Sequence, residues 1–262
     1  MARALRLDAE LVRRGLVPSR SSARRAVEQG KVLVGGIPVT KVDAMVGRDA
    51  AIALEAPASR FVSRGGEKLD GAMERLDVRV AGRKWLDAGA STGGFTDCLL
   101  QRGALQVAAV DVGYGQLDWS LRNDERVVVL ERANVRDLDP TRLPFVAEGV
   151  TADLSFISLR LVLPALARCA TRDADFVLLV KPQFEVGKEA VGKGGVVRDP
   201  EEWRRSLKGV VDAARDIDLG LVDAMPSPLR GPAGNVEFFV HLRRDADGPL
   251  DAVDRAAAEV EA

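Results

Sequence analysis

The sequence predicts an α/β protein: an open, mainly parallel sheet flanked by helices, preceded by a small α+β module. Three observations predict it. Seven apolar runs suited to strands recur after residue 80, most of them separated by helix-sized amphipathic stretches. Before residue 56 the pattern differs, with two short helical stretches followed by a hairpin signal. Charge divides at the same place: the 262-residue chain has a formal net charge of −1, yet residues 1–60 carry 11 Lys and Arg against 6 Asp and Glu. The front is basic by 5 charges and the remainder acidic by 6, the profile of a polyanion-binding module joined to a separate body.

In the module, AELVRRGL reads as a helix capped by Asp8, with Leu11, Val12 and Leu16 as a partial apolar stripe. Pro18 and Ser19 break it. SSARRAVEQ forms a second helix ending at Gly30, a suitable left-handed cap. KVLV and IPVT, joined by Gly35-Gly36, predict a hairpin, and AIALEA can add a strand. Arg20 and Arg24 then lie one helical turn apart on one face. APASRFVS, small-residue rich and containing Pro57, reads as a linker with little capacity to pack.

The body opens with a helix from Arg64, in which Leu69, Ala72, Met73 and Leu76 repeat at helical spacing. KWLDAG, QVAAVDVG, RVVVLE, GVTADLSF, DADFVLLVKP, LGLVDAM and VEFFVHL follow as strand candidates. Ligands of such sheets sit beyond the carboxyl ends of the strands. The first strand ends in LDAGASTGGFTD, where Gly89, Gly93 and Gly94 permit a sharp turn and close approach to a ligand. The spacing is not the dinucleotide G-x-G-x-x-G. The second strand ends in Asp111, a carboxylate able to accept both hydroxyls of a ribose.

Four charged residues interrupt this pattern. Lys181 ends the apolar FVLLV, Asp153 interrupts VTADLSF, and Glu237 opens the last strand. If that strand is antiparallel, its start meets the other strands' ends, and Glu237 converges on Lys181 and Asp153. Lys68 lies on the first helix of the body. EVGKEAVGKGGVVR (185–198), with four glycines and two lysines, is a candidate cationic loop. Phe156 and Phe184 follow the charged strand ends and are placed to stack an extruded base or to serve as core.

Scarce residues exclude other chemistry. One histidine, His241, and two cysteines, Cys98 and Cys169, cannot build a Cys/His zinc site or a disulfide framework. No metal is expected, and a reducing cytoplasm is the expected compartment. MARALRLDAELVRR lacks the apolar run of a signal peptide, and no apolar stretch approaches the roughly 18 residues of a membrane helix. No membrane partner is expected; oligomeric state is left open.

LDAELVRRGLVPSRSSARRAVEQGKVLVGG, followed by Lys41, resembles the S4 RNA-binding domain, which implies structured RNA as partner. Charge alone then puts phosphate contacts on Arg3, Arg6, Arg20, Arg24 and Lys41. The glycine-rich turn paired with Asp111 resembles the Rossmann-like S-adenosylmethionine-dependent methyltransferases. That resemblance implies S-adenosylmethionine as cofactor, held by Asp87, Gly89, Ser91, Gly93, Gly94, Phe95, Asp111 and, at the adenine, Asn134. Lys68, Asp153, Lys181 and Glu237 match in order the Lys-Asp-Lys-Glu tetrad of the FtsJ-like RNA ribose 2′-O-methyltransferases. SRGGEKL, ADLSFISL, LVKPQFEVGK and GNVEFF resemble more narrowly the TlyA family, also labelled haemolysin, which joins an S4 domain to this methyltransferase.

The resemblance divides the chain into an S4-like domain (1–55), a linker (56–63) and a methyltransferase domain (64–262). It implies transfer of a methyl group to the 2′-hydroxyl of cytidine in 16S ribosomal RNA, 23S ribosomal RNA or both, within ribosomal subunits, with effects on capreomycin-type antibiotic sensitivity. Lys181 is the candidate base, with Asp153 and Glu237 positioning it and Lys68 steering the hydroxyl or its neighbouring phosphate. Two other readings are a non-catalytic RNA- or ribosome-binding protein and a membrane-active haemolysin. An intact tetrad opposes the first, and the lack of an apolar span opposes the second.

Overall fold

A computed structural model describes residues 5–17, 19–28, 30–54, 60–249 and 251–261. The chain divides into two compact units, Met1–Ser59 and Arg60–Ala262.

The first unit runs β1 (Leu5–Arg6), α1 (Leu7–Arg13), α2 (Arg20–Glu28), β2 (Val32–Val34), β3 (Ile37–Pro38), β4 (Met45–Val46) and β5 (Ile52–Leu54). β2 pairs antiparallel with both β3 and β5, while β1 pairs with β4. Gly35 and Gly36 both take positive φ, 59° and 81°, as the tight primed turn of the β2–β3 hairpin requires. Leu7, Leu11, Ala23, Val27, Val32 and Val46 form its core. Asp8 does not cap α1. The helix starts earlier than expected, Arg6 flanks it, and the Asp8 carboxylate instead accepts the Ala9 N–H at 2.9 Å and Arg6 Nε at 3.1 Å. Hydrogen bonds from Arg13 and Arg14 hold the Glu10 carboxyl down at about 2. Arg14 also donates to the carbonyls of Arg48 and Ala50, both at 2.7 Å, tying α1 to the segment before β5.

The second unit begins with α3 (Arg64–Arg75), β6 (Lys84–Ala88), α4 (Gly94–Gln101), β7 (Gln106–Val110), α5 (Trp119–Arg122) and β8 (Val127–Leu130). It continues through β9 (Ala147–Ala152), α6 (Leu159–Arg168), β10 (Ala170–Val180), α7 (Pro182–Glu185), α8 (Pro200–Arg215), β11 (Leu219–Pro226), β12 (Phe238–Arg244) and α9 (Ala252–Glu261). All seven strand expectations join one sheet of order β11-β12-β10-β9-β6-β7-β8. β6 to β10 are parallel, and β12 lies antiparallel between β10 and β11.

Alternation along the strands divides the interior into two cores. In β10, Phe176, Leu178 and Val180 face the core completed by α6, α8 and α9. Val177 and Leu179 face the one completed by α3, α4 and α5. Beyond β12 the chain folds back on β11: the Gly248 N–H donates to the Leu221 carbonyl at 2.8 Å. A Cβ on Gly220 would lie 1.9 Å from the Ala246 carbonyl oxygen, so only glycine admits this return. The single histidine is a buried strand residue, its Nε2 2.8 Å from Asp175 Oδ1.

Of the expected linker, 56–63, the structure describes residues 60–63. Residues 55–59 lie outside the described part, but residues 60–63 pack on the second unit. Phe61 is 3% exposed, and the Val62 N–H donates to Asp97 Oδ2 at 2.8 Å. An aromatic ring covers a glycine here: a Cβ on Gly66 would stand 2.3 Å from Phe61 Cγ.

A second such contact tests the packing of the sheet. Trp85 on β6 lies across its register partner Gly149 on β9, with ring atoms 2.6 Å from where a Cβ would be. Gly149→Ala is expected to lower stability by about 1–3 kcal/mol through overpacking, measured by urea unfolding.

Candidate active site

β6 and β9 are neighbours at the point where the order of the sheet reverses, and the loops beyond their carboxyl ends form two clefts. The Asp153 N–H donates to the Ala88 carbonyl at 3.0 Å, drawing the two loops together. Gly89 makes that closure possible, because a Cβ there would lie 2.6 Å from the Asp153 carbonyl oxygen. Gly89, Ser91, Asp153 and Ser155 line both clefts and form their common wall.

The first cleft, about 410 Å³, brings together Lys68, Asp153, Lys181 and Glu237. The antiparallel β12 is the cause: Val180 pairs with Phe238, so Lys181 leaves β10 where Glu237 enters β12. The four charges form two ion pairs. Lys181 Nζ stands 2.5 Å from Asp153 Oδ1 and donates to Ser155 Oγ at 3.1 Å. Lys68 Nζ donates to Glu237 Oε2 at 2.5 Å, and the side chains are 8% and 2% exposed. Lys68 is therefore not an ordinary solvated helix lysine. α3 meets α4 where a Cβ on Gly94 would lie 2.2 Å from Ser63 Oγ and 2.9 Å from Gly66 N, which accounts for glycines in both SRGGEKL and STGGFT.

The second cleft, about 520 Å³, contains Asp111, Asn134, Gly89 and Ser91. Asp111 Oδ2 accepts the Ser91 N–H at 2.8 Å and Oδ1 the Gly113 N–H at 2.6 Å, leaving one acceptor position on each oxygen. Ala133, Val135, Ile157 and Val162 supply an apolar wall. Asn134 lines the cleft, and its Oδ1 accepts the Arg136 N–H at 3.1 Å, so the hydrogen-bonding group it has left to offer is the Nδ2 donor. A ribose at Asp111 and a flat base against the apolar wall fit these groups, with Asn134 donating to a ring nitrogen rather than accepting from an exocyclic amine.

Phe95 lines the first cleft along with Gly94. Two of the expected cofactor contacts fall elsewhere. Gly93 lines neither cleft; its φ is 98°, and a Cβ would collide with Leu121 Cδ1 at 2.3 Å. Asp87 is fully buried within the sheet, where Thr96 Oγ1 donates to its Oδ2 at 2.6 Å. Among the RNA-contact expectations, Arg3 lies outside the described residues. Arg6 pairs with Asp8 and Arg24 with Glu28, whereas Arg20 and Lys41 are exposed and make no ion pair among the described residues. The loop at 185–198 is anchored at its end, where the Val197 N–H donates to Asn235 Oδ1 at 3.0 Å.

Ser155, Arg64 and Arg230 are among the cleft residues that escaped the sequence reading. Ser155 follows Asp153 by two positions, and Arg64 precedes Lys68 by four on the same helix face, a readable spacing. Arg230 carries no local signal; its place depends on the antiparallel return of β12.

The clefts lie at the switch point, where open α/β sheets bind their ligands, and the converging charges line one of them. Residues 61–244 match the FtsJ-like methyltransferase family and residues 5–52 the S4 domain. The chain is 54% identical, over 99% of each chain, to the 16S/23S rRNA (cytidine-2′-O)-methyltransferase TlyA of Mycobacterium tuberculosis. A solved chain from Streptococcus thermophilus that carries a hemolysin name shares 36% identity and a TM-score of 0.75, covering 100% of this chain and 97% of that one. A chain from Listeria monocytogenes named for S-adenosylmethionine-dependent methyl transfer shares the fold alone, with a TM-score of 0.52 at 11% identity over 70% of this chain and 100% of that one. This chain belongs to the FtsJ-like methyltransferases and, within them, to the TlyA family, and it is a methyltransferase.

Burial pushes the Asp87 carboxyl up to about 7; hydrogen bonds from Thr96 and Thr151 oppose the rise and the Asp153 charge adds to it. The unfolded chain ionises the same group near 4, so between those pH values the native state holds the extra proton and stability falls as pH rises. Asp87→Asn removes this dependence. Its stability relative to the parent is expected to increase by up to about 1.4 kcal/mol per pH unit from pH 4 to 7, read from urea unfolding at several pH values.

Proposed function

We propose that the protein methylates the ribose 2′-hydroxyl of cytidine in ribosomal RNA, using S-adenosylmethionine. The observation that carries this reading is the meeting of two lysine–carboxylate pairs in a cleft that shares a wall with the one holding Asp111 and Asn134. Substrate and base identity follow the name of the Mycobacterium tuberculosis relative, for 16S and 23S rRNA. The S4 unit supports RNA as partner, with ribosomal subunits in the cytoplasm as the setting and capreomycin-type sensitivity as the consequence. No helix among the described residues is long and apolar enough to cross a membrane.

Bound S-adenosylmethionine supplies a methyl group already activated as a sulfonium. Asp111 would hold the ribose of this cofactor, and the Gly89–Phe95 turn would line the part that carries the methyl group. In its neutral form Lys181 accepts the proton that the acceptor oxygen gives up as the new oxygen–carbon bond forms and the donor's carbon–sulfur bond breaks. Asp153 and Ser155 fix the amine from one side, and the Lys68–Glu237 pair sets a cation beside the incoming hydroxyl. Phe156 is 92% exposed with φ 65°, an arrangement that costs free energy and finds its use in stacking the acceptor base with Phe184, whose ring centroid is 5.3 Å away.

The decisive assay incubates the protein with labelled S-adenosylmethionine and, separately, small subunits, large subunits and protein-free rRNA, followed by digestion to nucleosides. Labelled 2′-O-methylcytidine is the expected product; no label, despite binding of cofactor and ribosome, would leave a binding protein. Lys181→Ala and Lys181→Arg are both expected to lower kcat by about 10²–10⁴ while S-adenosylmethionine binding by calorimetry is retained. Arginine keeps the charge but cannot take the proton, so a Lys181→Arg enzyme of full activity would overturn the base assignment. Phe156→Ala is expected to raise the KM for RNA by about 5- to 150-fold, the equivalent of one lost stacking contact, in the same assay.

A further inference from the structure

We infer that Arg64 and Arg230 form a clamp for a single RNA phosphodiester at the mouth of the catalytic cleft. The inference rests on the reading that RNA ribose is the methyl acceptor, and it adds the group that locates the backbone of that RNA.

The cleft contains two rungs. The inner one is Lys68 with Glu237, an ammonium matched by a carboxylate at 2.5 Å. The outer one is built from the neighbours of these residues. Arg64 stands one helical turn before Lys68 on α3, and its Nη2 donates to the Arg230 carbonyl at 3.3 Å. Arg230 precedes Gly231, whose backbone lies directly against the inner carboxylate; a Cβ there would be 2.5 Å from Glu237 Oε1. Both arginines line the cleft and both are exposed.

Charge shows what the outer rung lacks. The cations lining the cleft are Arg64, Lys68, Lys181 and Arg230, and the anions are Asp153 and Glu237. Lys68 and Lys181 take the two carboxylates, so the arginines remain as an excess of two positive charges. Among the described residues their side chains meet only carbonyl oxygens, Arg64 that of Arg230 and Arg230 that of Gly234 at 3.4 Å. A ribose with a free 2′-hydroxyl carries a phosphodiester on the adjacent carbon. Whatever brings that hydroxyl to Lys181 therefore brings an anion to the cleft wall, where two guanidinium forks match phosphate oxygens.

The Arg230 loop is also held rather than left to drift. Gly231 N–H donates to the Asn235 carbonyl at 2.9 Å, and Asn235, 3% exposed, is fastened by its side chain to Gly195 and Val197. A cation carried on a fastened loop loses less freedom on binding than one on a free segment.

The test compares parent, Arg64→Gln, Arg230→Gln and the double variant in two assays: methylation of rRNA with varied RNA, and RNA binding against salt concentration. Calorimetric affinity for S-adenosylmethionine reports an intact fold in each. The double variant is expected to raise the KM for RNA about tenfold or more and to reduce the slope of log affinity against log salt by about one, the release of one phosphate contact. Because both forks hold the same phosphate, the two single losses are not additive. If the parent methylates RNA and the double variant keeps the parent's KM and salt slope, the clamp is wrong and the proposed function stands. If the parent itself methylates no RNA, the reading of the acceptor fails and the clamp falls with it.

Discussion

An ammonium buried at the rim of an apolar sheet has to be met by a carboxylate, since losing water without a partner costs several kcal/mol. At Lys68 the partner comes from 169 residues further along the chain. This one pairing requires α3 to lie against the end of the sheet, β12 to run antiparallel, and the loop before it to turn at Gly231. Lys181 and Asp153 leave adjacent parallel strands and satisfy the same rule over a short distance. Folding and the proposed chemistry consequently share this rim: the charges assigned to the methyl transfer are also those whose pairing closes the chain on itself.

Close backbone approach is the second requirement. Gly89 against Asp153, Gly94 against Ser63 and Gly66, and Gly231 against Glu237 are three places where a side chain has no room. Together they hold the cofactor turn, the first helix of the unit and the last loop within reach of one another. Of the three, the Gly89–Asp153 contact lies in the common wall of the two clefts, where backbone meets backbone.

Much of this was legible in the sequence, for physical reasons that differ from residue to residue. The inner strands were readable because they are buried on both faces along most of their length and so carry near-continuous apolar runs, while the outermost β8 and β11 are buried less. A lysine ending FVLLV and an acid ending VTA stood out against those runs, and the antiparallel return of the last strand brought Glu237 to them. What was lost depended on tertiary context. Asp8 has a capping residue's composition, but the pull of Arg6 takes it into α1. Arg6 and Arg24 count as free cations in a charge tally, although each is matched by a nearby acid. Asp87 and Gly93 share a motif with true cleft residues, yet one points into the sheet and the other into Leu117 and Leu121. Residues 60–63 look like linker because their small and polar neighbours conceal a single aromatic ring that packs.

The return of the chain along β11 has a bearing on how the molecule coexists with copies of itself. An outermost strand normally exposes a row of unmatched amide and carbonyl groups on which a foreign segment can add. Here the segment around Ala246–Gly248 occupies that position, taking up the Leu221 carbonyl and crowding Gly220 so closely that no other backbone can enter. That stretch of the rim, at Gly220–Val222, is thus spoken for by the protein's own chain, and strand-by-strand accretion, the route to aggregates when a new polypeptide is still crowded by its neighbours, is blocked at that point.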